Sequence, residues 1–152
     1  MSKKILISLL VLLMFFSCMS LSACHKKEDS KAPTEAAVRY DTLEDIKKEL
    51  EFDIKVPKDL NVEAYTIRKK TTIQVVFDGG FIRKAKTEKS VGNKVEGTES
   101  ETLVIGENNV KLATKGDKVK QATWRANGFS YCLYFQLGKD RDTAISYISQ
   151  IE

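Results

Sequence analysis

The sequence predicts an α+β domain: a mainly antiparallel sheet of about six strands, run as a meander of hairpins, with a short N-terminal helix and a C-terminal helix packed on it. Three observations carry this. From Val62 onward, short runs alternate apolar and polar residues, the period of a half-buried strand. Two such runs, Val119 to Ala126 and Phe129 to Gln136, are separated only by Asn127-Gly128, a pair that tolerates the positive φ values of a type I′ turn. Apolar residues at helical spacing flank the alternating region, at Leu43, Ile46 and Leu50 and again at Ala144, Ile145, Ile148 and Ile151.

Taken in order, Asp41-Thr42-Leu43-Glu44 resembles a capping box, with Asp41 as N-cap and Glu44 reaching back. The helix spans about 42 to 51, and Pro57 bars much extension. Tyr65 and Ile67 mark a strand, and Lys69-Lys70 a turn. Ile73, Val75 and Phe77 alternate with Thr72, Gln74 and Val76, and Asp78-Gly79-Gly80 turns the chain into a short strand from Phe81 to Lys84. Residues 87 to 100 are polar with two glycines, and a loop of that length is either functional or mobile; the composition favours mobility. Short strands follow at Leu103 to Ile105 and Val110 to Ala113.

The Asn-Gly hairpin fixes a register in which paired residue numbers sum to 255. Trp124 then faces Tyr131, Ala122 faces Leu133, and Thr123 faces Cys132 on the other side. A slip of one residue would turn the aromatics out to water. Asp140 or Asp142 caps the last helix.

The N-terminus is of another kind. Lys3 and Lys4 precede an apolar run from Ile5 to Phe16, and Leu21-Ser22-Ala23-Cys24 follows. The order is that of a secretory signal, and a bilayer-spanning helix needs about 20 apolar residues. Leu-Ser-Ala-Cys is similar to a lipobox, the processing site of bacterial lipoproteins. That likeness implies removal of residues 1–23 as a lipoprotein signal peptide, diacylglycerol on the Cys24 sulfur, and often an N-acyl group such as palmitate. Two or more acyl chains suffice for stable anchoring where one does not. Residues 24–40 then form the lipidated Cys and a flexible tether, and 41–152 a single domain. Fifteen tether residues reach about 20 Å.

Composition excludes several classes. The whole chain carries 25 Lys+Arg and 21 Asp+Glu, and losing Lys3 and Lys4 leaves a balance too near neutral to argue for nucleic acid. The single His25 sits in the tether, which removes Ser–His–Asp and Cys–His catalysis and HExxH-type zinc sites. Once Cys24 is alkylated, Cys132 has no intramolecular partner and reads as structural. No catalytic residue, metal site or cofactor is expected. Two candidate surfaces remain. Trp124, Phe129, Tyr131 and Phe135 form a candidate apolar ligand face, or simply core. Arg68, Lys69, Lys70, Arg83 and Lys84 form a candidate contact for an anionic surface, or simply a solvated face. If the strands pair in sequence, the two basic clusters, Arg68-Lys69-Lys70 and Arg83-Lys84-Lys86, sit toward opposite ends of neighbouring hairpins.

Ile82-Arg83-Lys84-Ala85, Ile105-Gly106-Glu107, Ala122-Thr123-Trp124, Gly128, Tyr131 and the segment 142–151 occur in an order that resembles a domain of unknown function in Firmicutes lipoproteins and anti-sigma-factor-like proteins. The stretch Ile54-Lys55-Val56-Pro57 resembles that family's opening. The likeness covers about 100 residues of the mature chain. Residues 88–100 depart from it, where relatives carry an Asp-Ile-Ser-Gly-Asp segment. The resemblance implies a Gram-positive cell and a lipid-anchored domain on the extracytoplasmic face of the cell membrane, with no established enzymatic role. The expected function is a non-enzymatic binding or sensing module. The alternative is a carrier or chaperone for lipid or another apolar ligand in the envelope. The expected partners are the membrane, through the lipid anchor, and an unknown envelope protein or apolar ligand.

Overall fold

A computed structural model describes residues 37–151. The expected signal peptide, Cys24, His25 and the expected tether as far as residue 36 lie outside the described residues. The chain runs β1 (Val38–Tyr40), α1 (Leu43–Leu50), β2 (Val62–Arg68), β3 (Thr72–Phe77), β4 (Gly80–Ala85), β5 (Glu99–Ile105), β6 (Asn108–Lys115), β7 (Lys118–Ala126), β8 (Phe129–Lys139) and α2 (Arg141–Gln150).

The fold class is α+β with an antiparallel sheet, but the sheet has eight strands rather than about six, in the order β1-β2-β3-β4-β8-β7-β6-β5. It is two four-stranded meanders joined at the centre, where β4 pairs with β8 instead of β5. The surplus comes from the edges. β1 precedes α1 in a segment without periodicity and is recruited by pairing, Tyr40 opposite Tyr65. The sheet therefore begins three residues before the expected domain boundary at 41. β5, at the other edge, starts at Glu99 and has polar residues along much of its length, which an edge strand tolerates.

Two-residue turns set every hairpin except β2–β3, whose loop is Lys69-Lys70-Thr71. Asp78-Gly79 forms one, with Gly79 at φ 77°, and Gly80 belongs to β4 rather than to the turn. A Cβ on Gly80 would meet Tyr134 O and the Phe77 ring, so only glycine lets β4 lie against β8 there. Asn127-Gly128 gives the register that its turn chemistry dictates, from Gln121–Tyr134 to Ala126–Phe129. Beyond Gln121 the pairing shifts to Val119–Lys139, and the surplus residues of β8 form a bulge with Gly138 at φ 80°.

The caps differ from expectation at one end. Thr42, not Asp41, is the N-cap of α1: its Oγ1 accepts from Asp45 N at 3.2 Å and donates to Asp45 Oδ2 at 2.7 Å. The cap is one residue later than the sequence suggested, and Asp45, three residues past the capping hydroxyl, bonds that hydroxyl in place of the expected return bond from Glu44. α2 is capped by Asp140, whose Oδ1 accepts from Thr143 N at 2.9 Å.

One face of the sheet carries the core. Ile73, Val75, Ile82, Leu112, Leu133 and Phe135 are almost wholly buried, together with Ile46 of α1 and Ala144, Ile148 and Ile151 at the C-terminal end. Ile145 is only partly buried, and Tyr147 takes its place on the buried side of α2. The opposite face is polar, and the candidate site lies there.

Candidate functional site

Strand alternation decides which basic residues can act together. Gln74 of β3 stands opposite Thr66 of β2 and Arg83 of β4, so Thr66, Gln74, Arg83 and Cys132 lie in one row on the outer face. Strands two apart in an antiparallel meander run the same way, so the C-terminal ends of β2 and β4 are neighbours. Arg68 and Arg83 therefore meet at one end of the sheet, not at opposite ends. Gln74 Oε1 accepts from Arg83 Nε at 2.7 Å and from Arg68 Nη1 at 3.1 Å.

Lys84 belongs elsewhere. Next in sequence to Arg83, it points to the other face, opposite Tyr131. Its Nζ lies 4.5 Å from the Phe129 ring centroid, 5.4 Å from Tyr131 and 6.0 Å from Phe52. Burial lowers its pKa from the ordinary lysine value. The five-residue basic patch read from sequence thus splits, because adjacent residues on a strand face opposite ways.

Arg83 is 8% exposed. Its Nη1 donates to Val91 O at 3.1 Å and to Asn93 Oδ1 at 2.8 Å, and its Cζ lies 3.9 Å from the Phe81 ring centroid. Burial, and then the charge of Arg68, pull its pKa down to about 10. The segment 87–93 is drawn over the sheet by this and by neighbouring bonds. Gln121 of β7 bonds both the backbone N and the backbone O of Asn93, and Ser130 Oγ donates to Thr87 O at 2.7 Å. Gly92 lies so close to β7 that a Cβ would come within 2.8 Å of Gln121 and Thr123. The composition of 87–100 suggested mobility; its front half is instead a clasp tied by five hydrogen bonds to three side chains of the sheet, Arg83, Gln121 and Ser130.

Between the clasp and the β2–β3 hairpin lies a pocket of about 360 Å³. Arg68, Lys69, Arg83 and Lys89 line it with Thr71, Thr72, Thr87 and Ser90, and no carboxylate is among its lining residues. Lys70 and Lys84 are absent from that lining. The hairpin loop holds Lys69 at φ 52° and Lys70 at φ 56°, positions where the other hairpins place Gly or Asn. Thr87 Oγ1 accepts from Lys89 N and Ser90 Oγ from Gly92 N, so both hydroxyl protons are left to donate.

On the far side of the clasp is an open groove of about 460 Å³. Its walls are mostly polar, including Glu88, Asn109, Arg125 and Ser130, with Trp124 and Tyr131 the only aromatics. The four aromatics of the candidate apolar face are core or close to it. Trp124 stacks on Tyr131 with centroids 5.1 Å apart, and both are buried, as is Phe135. Phe129 is partly buried beneath Phe52 and Lys84. Trp124 Nε1 is buried without a hydrogen-bond partner among the described residues.

Cys132 is fully buried opposite Arg83. Burial pushes its thiol up to about 12, outweighing the pull of Arg83, so it stays protonated at neutral pH. Among the described residues no cluster of His, Cys, Asp or Glu could hold a metal ion.

Sequence reasoning missed Gln74, Gln121, Asn93 and Lys89 as site residues. Their signal was faint: outward-facing amides on strands beside a basic residue, legible only once the pairing is known. No family model, curated protein or solved structure matches the chain.

Proposed function

We propose that this chain is a lipid-anchored extracytoplasmic protein whose domain is a non-enzymatic binding module, with the clasped outer face of the sheet as its working surface. One observation carries the binding part: a concave, polar surface with four cationic side chains and no carboxylate in its lining. Burying guanidinium charge without a counter-charge costs free energy, and a fold that keeps it has use for an anionic partner. The anchor part rests on Leu21-Ser22-Ala23-Cys24 behind an apolar run. We also propose, on the resemblance alone, that the domain is of the kind found in Firmicutes lipoproteins. Packing supports the module over the carrier, because Trp124, Tyr131 and Phe135 are spent in the core and Lys84 stands over Phe129.

The test is labelling of intact cells with an alkyne fatty acid, comparing the full chain with Cys24→Ala. The expected result is a labelled, membrane-retained chain whose label is lost in Cys24→Ala. An unlabelled chain in the soluble fraction with Cys24 intact would remove the anchor.

A further inference from the structure

We infer that the pocket between Arg68 and Arg83 is a site for a phosphate group. This deepens the reading of the outer face as the working surface and rests on it. Two guanidinium groups converge on one neutral acceptor, Gln74 Oε1, in place of a carboxylate. Arg83 spends Nε on Gln74 and Nη1 on the clasp, and among the described residues nothing accepts from its Nη2 or from the Nη2 of Arg68. Each guanidinium therefore keeps donors for a ligand, and a planar fork suits a tetrahedral oxyanion.

The surroundings favour phosphate over a single carboxylate. Lys69 and Lys89 add two ammonium groups from opposite walls, and the Thr87 and Ser90 hydroxyls have protons free to donate. Six donor groups around one pocket exceed what one carboxylate accepts, whereas a phosphate offers three or four oxygens and one to two charges. No carboxylate lines the pocket, and Glu88, the nearest acid in the clasp sequence, is paired with Arg125 at 3.6 Å. The hairpin also holds two lysines in a left-handed backbone conformation that is strained for a residue with a Cβ. Lys69, held there where Gly would carry no strain, lines the pocket.

Phosphate of this kind could come from a lipid headgroup or from a soluble phosphate compound. The experiment is thermal unfolding of the full chain in a non-ionic detergent, at constant ionic strength set with sodium chloride. Glycerol phosphate, inorganic phosphate and short-chain phosphatidylglycerol are added in turn, with sodium acetate as control. The expected result is a saturable rise of about 6 °C at ligand concentrations roughly tenfold above Kd, absent with acetate and lost in Arg68→Gln and in Lys89→Gln. These two side chains are chosen because neither ties the clasp to the sheet. A rise with the soluble compounds assigns the site to free phosphate, and a rise with the lipid alone assigns it to a headgroup. No rise with any of the three, an equal rise with acetate, or a rise undiminished in both variants overturns the site. A chain labelled at Cys24 that shows no shift keeps its anchor and loses the site; an unlabelled chain that shifts does the reverse.

Discussion

Gln121 and Asn93 are joined by two hydrogen bonds of opposite sense: Asn93 N donates to Gln121 Oε1 at 2.9 Å, and Gln121 Nε2 donates to Asn93 O at 3.0 Å. One side-chain amide thus serves a loop residue as a neighbouring strand would. Twenty-eight residues separate the pair, so the bond holds the clasp to the sheet across long-range topology. Gln121→Leu leaves both backbone groups of Asn93 without these partners, a loss of about 1–3 kcal/mol. Amide exchange at Asn93 should speed up sharply in Gln121→Leu and stay slow in Gln121→Glu, which keeps the acceptor. Unchanged exchange in Gln121→Leu would mean that the clasp is held elsewhere.

Cys132 should be inert while the domain is folded. Its thiol is fully buried and pushed up to about 12. Iodoacetamide at pH 8, followed by mass analysis of the peptide holding Cys132, should find it unmodified in buffer and modified in denaturing urea. Rapid labelling in buffer would refute the burial.

Gly80 and Gly79 are adjacent but differ in what they require. A Cβ on Gly80 meets backbone and ring atoms, whereas Gly79 has open space and only a positive φ. Gly80→Ala should cost roughly 3 kcal/mol by overpacking, and Gly79→Ala roughly 1 kcal/mol by backbone strain. Denaturant unfolding of the two variants checks the order, and a larger loss for Gly79→Ala would contradict the β4–β8 packing.

Asp140 caps α2 and is held below the usual carboxylate range, chiefly by its bond from Thr143 N. A depressed folded pKa means that its contribution is present above the unfolded value of 3.8 and is lost as pH falls through the folded one. Asp140→Ala should lower stability measurably at neutral pH, and Asp140→Asn, which can still cap, much less. The difference between wild type and Asp140→Ala, followed by urea unfolding, should shrink below pH 3.8. A gap constant down to pH 2 would assign the effect to something other than the carboxylate.

The parts legible in the sequence are those governed by local chemistry. Asn127-Gly128 dictates its turn, and the turn dictates which of Trp124 and Thr123 faces the core. The start of the last helix was legible as Asp140 or Asp142, and Asp140 is the one that caps it. What stayed hidden depends on pairing between distant segments. No local pattern says that Ile82 pairs with Leu133 rather than with a residue of β5, so the junction of the two meanders was invisible. β1 was hidden as well, since Val38–Tyr40 becomes a strand only because β2 offers an edge. The candidate site shows both sides. Arg68, Lys69 and Arg83 stood out as basic residues, but their partner Gln74 and the clasp residues acquire meaning only through the register. Lys84 was grouped with Arg83 by adjacency, although strand alternation sends the two to opposite faces.

We propose that the outer face, not the aromatic core, meets the partner. Hydrogen exchange on the full chain held in its own membrane, compared with the same chain in detergent, tests it most directly. The account predicts slower exchange in the membrane at residues 68–72 and 87–93, and no change along Trp124 to Phe135. Protection centred on Trp124 to Phe135 with the clasp unchanged would contradict it and turn the account toward a carrier of apolar ligand.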